Sequence, residues 1–354
     1  MPDPSFWLLL LVIALAIGFG VTNGFNDAAN AIAASIGSRA LSPRNAIILA
    51  AFCNLAGAAT GTAVARTIGK GILVSQVISQ FEYVPVIAAL AAVIIWTTLA
   101  TRYGLPVSST HGFVAGLAAA GVALAGSGAV MWGWSDGLLQ TLVAVVTAPV
   151  LGFIGGFVVM VILFWLFRRS APTRMRVIFS RLQWLTTAFL AYSLGKNNGQ
   201  MPIGVITMAL VIYTGQTGRW EHIPWWVIII SALAISSGTA IGGWRVIRTV
   251  GLRITALQPI HGFAAQASAA TVIELASNFG FVASHLGIPV SPALGIPVST
   301  THCASSAVMG VGATRRLSAV RWGVAGNIVA AWILTFPICG GLGYLFAWLM
   351  KTIF

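Results

Sequence analysis

The chain has 354 residues, 58% of them hydrophobic and only 7% charged. A soluble domain carries about a quarter charged residues, so this surface is built for lipid. Lysine and arginine number 19 against 6 acidic residues, a net charge of +13. The cations fall in short clusters between apolar spans, the pattern of topology determinants, and no soluble domain exists to present a nucleic-acid interface.

Met1 to Ser5 lacks the positive n-region of a cleaved signal peptide, so the first span is expected to be retained. The run from Phe6 to Ile36 is long enough to cross a bilayer, yet its second half carries Asn23, Asn26, Asp27 and Asn30. A carboxylate in hydrocarbon is costly and marks an ion or substrate path. Gly24-Phe25-Asn26-Asp27-Ala28-Ala29-Asn30 also suits a helix that breaks at mid-membrane and frees backbone groups for a ligand. Its oxygens suit Na+ or H+, and N–H groups at a break suit an anion; the bland reading is amide glue between helices. Asn54, Gly57 and Gly61 form a small-residue packing face.

Gly104-Leu105-Pro106-Val107-Ser108-Ser109-Thr110-His111 interrupts the next apolar run and predicts a re-entrant hairpin. Ser108, Ser109 and Thr110 offer hydroxyls at a helix N-terminus, which suits a tetrahedral oxyanion. The echo Gly295-Ile296-Pro297-Val298-Ser299-Thr300-Thr301-His302 predicts a second hairpin with the same chemistry, preceded by a tandem copy at Gly287 to Ser291. His111 and His302 follow the two tips. Each is either a proton relay or a neutral ring that locks its hairpin to a neighbour. Between the hairpins, Gly195-Lys196-Asn197-Asn198-Gly199-Gln200 repeats the first polar break in weaker form. Lys196 there either neutralises a bound anion or reaches the interface. Gln266 is a candidate ligand of the coupling ion or substrate, and Glu274 snorkels or pairs with an arginine. Cys53, Cys303 and Cys339 lack metal-ligand spacing and read as free thiols.

Arg39, Arg44 and Arg102, the arginines between Arg168 and Arg181, Arg245, Arg248 and Arg253, and Arg315, Arg316 and Arg321 all fall on one side of a consistent route. The positive-inside rule makes that side cytoplasmic and puts both termini outside, with Trp132, Trp134, Trp220, Trp225 and Trp226 at the outer interface. The route crosses an odd number of times before and after the basic stretch. The halves are therefore inverted: a membrane repeat over 1–167, a cytoplasmic loop-like linker over 168–181 and a second repeat over 182–354. Arg66-Thr67-Ile68-Gly69-Lys70 echoes Arg248-Thr249-Val250-Gly251-Leu252 and supports the duplication. The expected fold is an all-α integral membrane protein of about 10–12 segments, with two inverted-topology repeats, broken helices and two re-entrant hairpins.

Together these segments resemble the inorganic phosphate transporter family, secondary carriers that move phosphate with Na+ or H+. The resemblance rests on Gly24 to Asn30 and the two Pro-Val-Ser-x-Thr-His tips, with Gly242-Gly243-Trp244-Arg245 and Gly262-Phe263-Ala264-Ala265-Gln266 in support. It implies Asn26, Asp27 and Asn30 for ion and substrate, and Ser108, Ser109, Thr110, Ser299, Thr300 and Thr301 for phosphate. The second polar segment adds Asn197 to the substrate set and Asn198 to the coupling-ion set, which also takes Asn23 and Gln266, with Na+ expected at Asp27 and Asn198. The family's second copy reads Gly-x-Asn-Asp followed by Gln and Lys; here neutral Asn198 replaces the Asp, and Met201 follows Gln200.

The expected function is secondary active transport of inorganic phosphate across the cytoplasmic membrane, with Na+ or H+ as coupling ion and no cofactor. The expected partners are phosphate and the lipid bilayer; a homodimer is left open. One fewer carboxylate keeps a sulfate permease as the alternative, with a passive anion channel behind it. A Ser–His–Asp hydrolase is disfavoured because adjacent Ser and His on a hairpin lack nucleophile–base geometry. No Gly-x-x-x-x-Gly-Lys-(Ser/Thr) loop exists to energise a primary pump.

Overall fold

The computed structural model describes residues 4–60, 65, 72–133, 138–288 and 298–353. Gly61, the Arg66–Lys70 echo, Trp134 and most of the tandem copy before the second tip lie outside the described residues. Among those described, the fold is helical, with only an isolated bridge between Leu73 and Val130. The helices are α1 (Pro4–Gly37), α2 (Pro43–Ala58), α3 (Ser75–Phe81), α4 (Val84–Tyr103), α5 (Ser109–Ala125), α6 (Leu138–Leu166) and α7 (Pro172–Asn198). They continue with α8 (Gln200–Thr214), α9 (Trp225–Ile241), α10 (Trp244–Arg248), α11 (Pro259–Ser277), α12 (Phe279–His285), α13 (Thr300–Ala313) and α14 (Trp322–Ile353).

The expected break in the first span does not occur. α1 runs unbroken for 34 residues, about 50 Å at 1.5 Å per residue. Ala28, Ala29 and Ala31 favour the helix, and the polar side chains between them find partners on other helices, so the backbone keeps its own bonds. Gly24 serves packing instead: a Cβ there would lie 2.2 Å from the Ile235 carbonyl. The interruption at Asn198 is a single residue, Gly199, between α7 and α8. The arginine-rich stretch expected as a loop is also helical from Pro172 onward, because a proline at the first turn starts α7 well before its apolar part. A sharper break went unpredicted. α9 ends at Ile241, Gly242 follows with φ 69°, and the next helical segment Trp244–Arg253 is bent 61° away.

Among the described residues, four helices are long and apolar enough to cross a membrane, Ser5–Gly37, Val84–Tyr103, Thr141–Leu166 and Trp322–Ile353, with the bent pair as a fifth. That is fewer than the segments expected, because helices such as α2, α8 and α13 have 16 residues or fewer.

Packing alternates between the halves. α1 lies on α9 and α7 lies on α2; α14 lies on α5 and α13 on α6; α4 contacts α5 and α14, while α11 contacts α13 and α6. Beside two small clusters that α14 shares with α4 and α5, two large apolar cores result. One gathers Leu9 to Phe19 of α1, Val86 to Val93 of α4, Phe113 to Ala118 of α5 and Met201 to Leu210 of α8. The other gathers Ala29 to Ala33 of α1, Leu190 to Leu194 of α7, Ala264 to Ile273 of α11 and Cys303 to Val311 of α13. Asn23 to Asp27 on α1 and Asn197 to Gln200 on α7 and α8 fall between the two cores, so the polar residues form a layer.

Candidate functional site

Asp27 is the centre of this layer and is buried. Its Oδ1 accepts from the Asn30 amide at 2.7 Å and from the Thr301 hydroxyl at 2.8 Å; its Oδ2 accepts from the Asn198 amide at 2.5 Å. One carboxylate thus ties together α1, the α7 terminus and the N-terminus of α13, the second predicted tip. The Asn30 amide also reaches the Thr301 hydroxyl at 3.0 Å, and Thr300 and Asn198 lie 3.3 Å apart. Thr301 sits 3.1 Å from the Val107 carbonyl, which brings the first tip to the same place.

Asn26 holds that tip. Its amide donates to Thr101 at 2.7 Å and its oxygen accepts from the Val107 N–H at 3.3 Å. Gly104 turns the chain into the tip with φ 73°, and Ser108 caps α5 by accepting from the His111 N–H at 3.3 Å. Ser299 caps α13 through the His302 N–H at 3.2 Å. Each cap uses a serine in extended backbone, the arrangement that satisfies a first-turn N–H. Two helix N-termini therefore converge beside Asp27, each carrying partial positive charge. Ser109 Oγ, Asn30 Oδ1 and both amide atoms of Asn23 are buried without a protein partner. Thr110 is buried close by in sequence on the same first turn.

His111 and His302 meet directly, with ring centroids 5.1 Å apart. His111 stacks on Phe336 and His302 on Trp332 at 4.1 Å, so both rings lock the tips to α14. The Trp332 indole N–H donates to the Pro106 carbonyl at 3.0 Å. Trp332 thus touches both tips, a role sequence reasoning missed. A tryptophan inside an apolar span was the available signal, since a buried indole N–H requires an acceptor. Thr101 was missed as well, and an isolated threonine in an apolar helix carries no such signal.

Three predicted residues lie elsewhere in the layer. Lys196 pairs with the Glu274 carboxylate at 2.9 Å and donates to Asn278 at 3.1 Å. Glu274 therefore pairs with a lysine, not the expected arginine. Asn197 donates to Ser277 at 3.1 Å. Gln266 bonds Ser35, Thr186, Thr187 and the Ala31 carbonyl at 2.7–3.0 Å, a separate cluster one turn or more below Asp27 on α1. Among the described residues no group of three His, Cys, Asp or Glu could hold a metal. Oxygen-only donors of this kind fit a monovalent cation or a proton better than a transition metal. The three cysteines are free thiols.

The sequence profile of the phosphate transporter family matches residues 23–343. The chain is 38% identical over 347 residues to a Bacillus subtilis (strain 168) protein named "Probable low-affinity inorganic phosphate transporter", covering 98% of both. It is 39% identical over 334 residues to the Rhizobium meliloti (strain 1021) protein of the same name, covering 94% of this chain and 93% of that one. A solved structure named "The sodium-dependent phosphate transporter" matches with a TM-score of 0.84 at 28% identity, over 98% of this chain and 100% of that one. By profile, by identity along nearly its whole length and by fold, this multi-pass membrane protein belongs to the phosphate transporter family.

Proposed function

We propose that the chain is a secondary carrier of inorganic phosphate, coupled to Na+ or H+, and that Asp27 with the two hairpin tips forms its transport site. The observation that carries this reading is the Asp27 carboxylate, held at once by Asn30, Asn198 and Thr301. A charge shared by three elements changes its bonding whenever one of them moves, which is what coupling ion binding to a conformational change requires. The printed names of the relatives and of the structural neighbour point to the same substrate, and the neighbour's name to Na+.

The phosphate would sit between the N-termini of α5 and α13. First-turn N–H groups and the hydroxyls of Ser109, Thr110, Thr300 and Thr301 supply donors, while Ser108 and Ser299 fix the two caps. The coupling ion would take oxygens of Asp27, Asn30 and Asn198, with Asn23 completing the polar face. Asn26 positions the first tip, and Asn197 and Gln266 support the surrounding layer. His111 and His302 act as the gate contact between the tips, and Lys196 holds α7 to α11.

The helices on either side of the first tip, α4 and α5, contribute Val86 to Val93 and Phe113 to Ala118 to one apolar core, while α13 after the second tip contributes Cys303 to Val311 to the other, which supports reading the tips as re-entrant hairpins. The exchanged packing of the halves favours an inverted repeat by the same logic. Cytoplasmic placement of the arginine clusters puts both termini outside, in a plasma membrane.

Uptake of labelled phosphate into proteoliposomes tests the reading, with Na+ and pH gradients imposed separately and unlabelled sulfate as competitor. Gradient-driven accumulation insensitive to sulfate is expected. Strong sulfate uptake with little phosphate uptake would replace the substrate, and the absence of counterflow exchange would indicate a pore.

A further inference from the structure

A cavity lies away from Asp27, beside the end of α1. It encloses about 870 Å³ and is lined by Arg39, Arg168 and Arg176 on one side and by Leu163, Phe164 and Phe167 on another. We propose that this cavity binds a phosphate-bearing anion, a reading that goes beyond the transport site and does not depend on it.

Three observations carry the assignment. The lining holds three guanidinium groups and no carboxylate, and each of the three arginines is exposed. Guanidinium forks match phosphate oxygens in bidentate geometry. Arg168 is already fixed, with its guanidinium 4.7 Å from the Trp165 ring.

Second, Arg39 stands where glycine is favoured. α1 closes with the Ala40 N–H bonded to the Ser35 carbonyl and the Arg39 N–H to the Ile36 carbonyl, a Schellman ending. The residue at that position adopts φ 60°, left-handed backbone that a β-carbon disfavours. An arginine kept there brings a cation to the cavity mouth at the expense of local strain.

Third, the apolar wall is accessible from the lipid side: Phe164 is 42% exposed, on a helix whose outer face is almost wholly apolar. Arginines beside an exposed aromatic wall at the basic end of a membrane protein suit a phospholipid headgroup with its chains on Phe164. A free inorganic phosphate would use the arginines alone.

The test uses the full chain in phosphatidylcholine nanodiscs. One arm adds phosphatidylglycerol and reads the melting temperature and the lipid retained in native mass spectrometry. The other arm omits it and titrates inorganic phosphate. Wild type is compared with Arg39→Gln/Arg168→Gln/Arg176→Gln and with Arg39→Gly, which relieves the left-handed backbone and should melt no lower than wild type. Retained phosphatidylglycerol is expected to fall about tenfold in the triple variant and measurably in Arg39→Gly. A phosphate-dependent melting shift that shrinks in the triple variant, without any effect of phosphatidylglycerol, assigns the same cavity to the free anion. If neither ligand distinguishes the variants from wild type, the proposal is overturned.

Discussion

Asp27 and Asn198, 171 residues apart, face one another across the centre of the molecule, with the Asn198 amide donating to the Asp27 carboxylate. In the two polar segments they occupy matching places, one acidic and one neutral. Gly24 and Gly195 precede each by three residues and do matching work. A Cβ on Gly24 would lie 2.2 Å from the Ile235 carbonyl of α9, and one on Gly195 would lie 2.2 Å from the Asn54 carbonyl of α2.

Removing the Asp27 charge should abolish coupling while sparing the fold, since an amide of equal size fills the same space. Asp27→Asn is expected to reduce gradient-driven uptake more than about tenfold with a nearly unchanged melting temperature. Full uptake in that variant would end the assignment of this carboxylate.

Asn198→Asp would place a second carboxylate against the first. Two such groups in contact cannot both ionise without a cation between them. Uptake by this variant is expected to depend more steeply on Na+ or on protons than that of wild type, read as the slope of rate against ion concentration. An unchanged slope would show that Asn198 stands outside the ion site.

The two tip threonines should differ. Thr301 bonds Asp27 at 2.8 Å, whereas the nearest partner of Thr300 lies 3.3 Å away. Thr301→Val, which removes only a hydroxyl, is expected to cost about 1–3 kcal/mol and most of the activity, and Thr300→Val less than half of either. Thermal melting and uptake rates measure both.

Lys196 and Glu274 are only 16% and 20% exposed, so breaking their pair leaves a charge in poor solvent. Lys196→Met and Glu274→Gln should each destabilise the protein, and the double variant should be less affected than the sum. A coupling of about 1 kcal/mol or more in a double-mutant cycle is expected; additive effects would mean that the pair contributes nothing.

Glycine contacts give a further contrast in stability. Gly24→Ala would drive a methyl into a helix backbone that cannot yield cheaply, and is expected to lower the melting temperature sharply. Gly341→Ala, with no atom within 4 Å of the added carbon, should be neutral or stabilising because alanine favours helix.

The polar layer was legible because amides and a carboxylate inside apolar runs stand out, and their expense in hydrocarbon ties them to a purpose. The two serine-capped helix starts at Ser108 and Ser299 were legible for a similar reason: Gly, Pro and hydroxyl residues recur together. Continuity of α1 was misread. Gly24 and Asn26 look like breakers by local propensity, yet the first meets a carbonyl across a helix contact and the second holds Val107 and Thr101. The 61° bend after Ile241 falls at Gly242-Gly243, a pair with no charged or amide side chain to mark it within an apolar run. Pairings such as Lys196 with Glu274, or Trp332 with Pro106, join residues far apart along the chain, and no local pattern encodes a partner at that separation.

The exchange of terminal helices has one more consequence. α6 closes the core around α13, and α14 closes the one around α5, so each half finishes the other's interior. Neither half owns a sealed core. A fragment ending at the arginine-rich segment would leave α5 bare along the face that α14 covers. Any half-length version of this architecture would therefore need a second chain to cover the helices that the missing half now packs against.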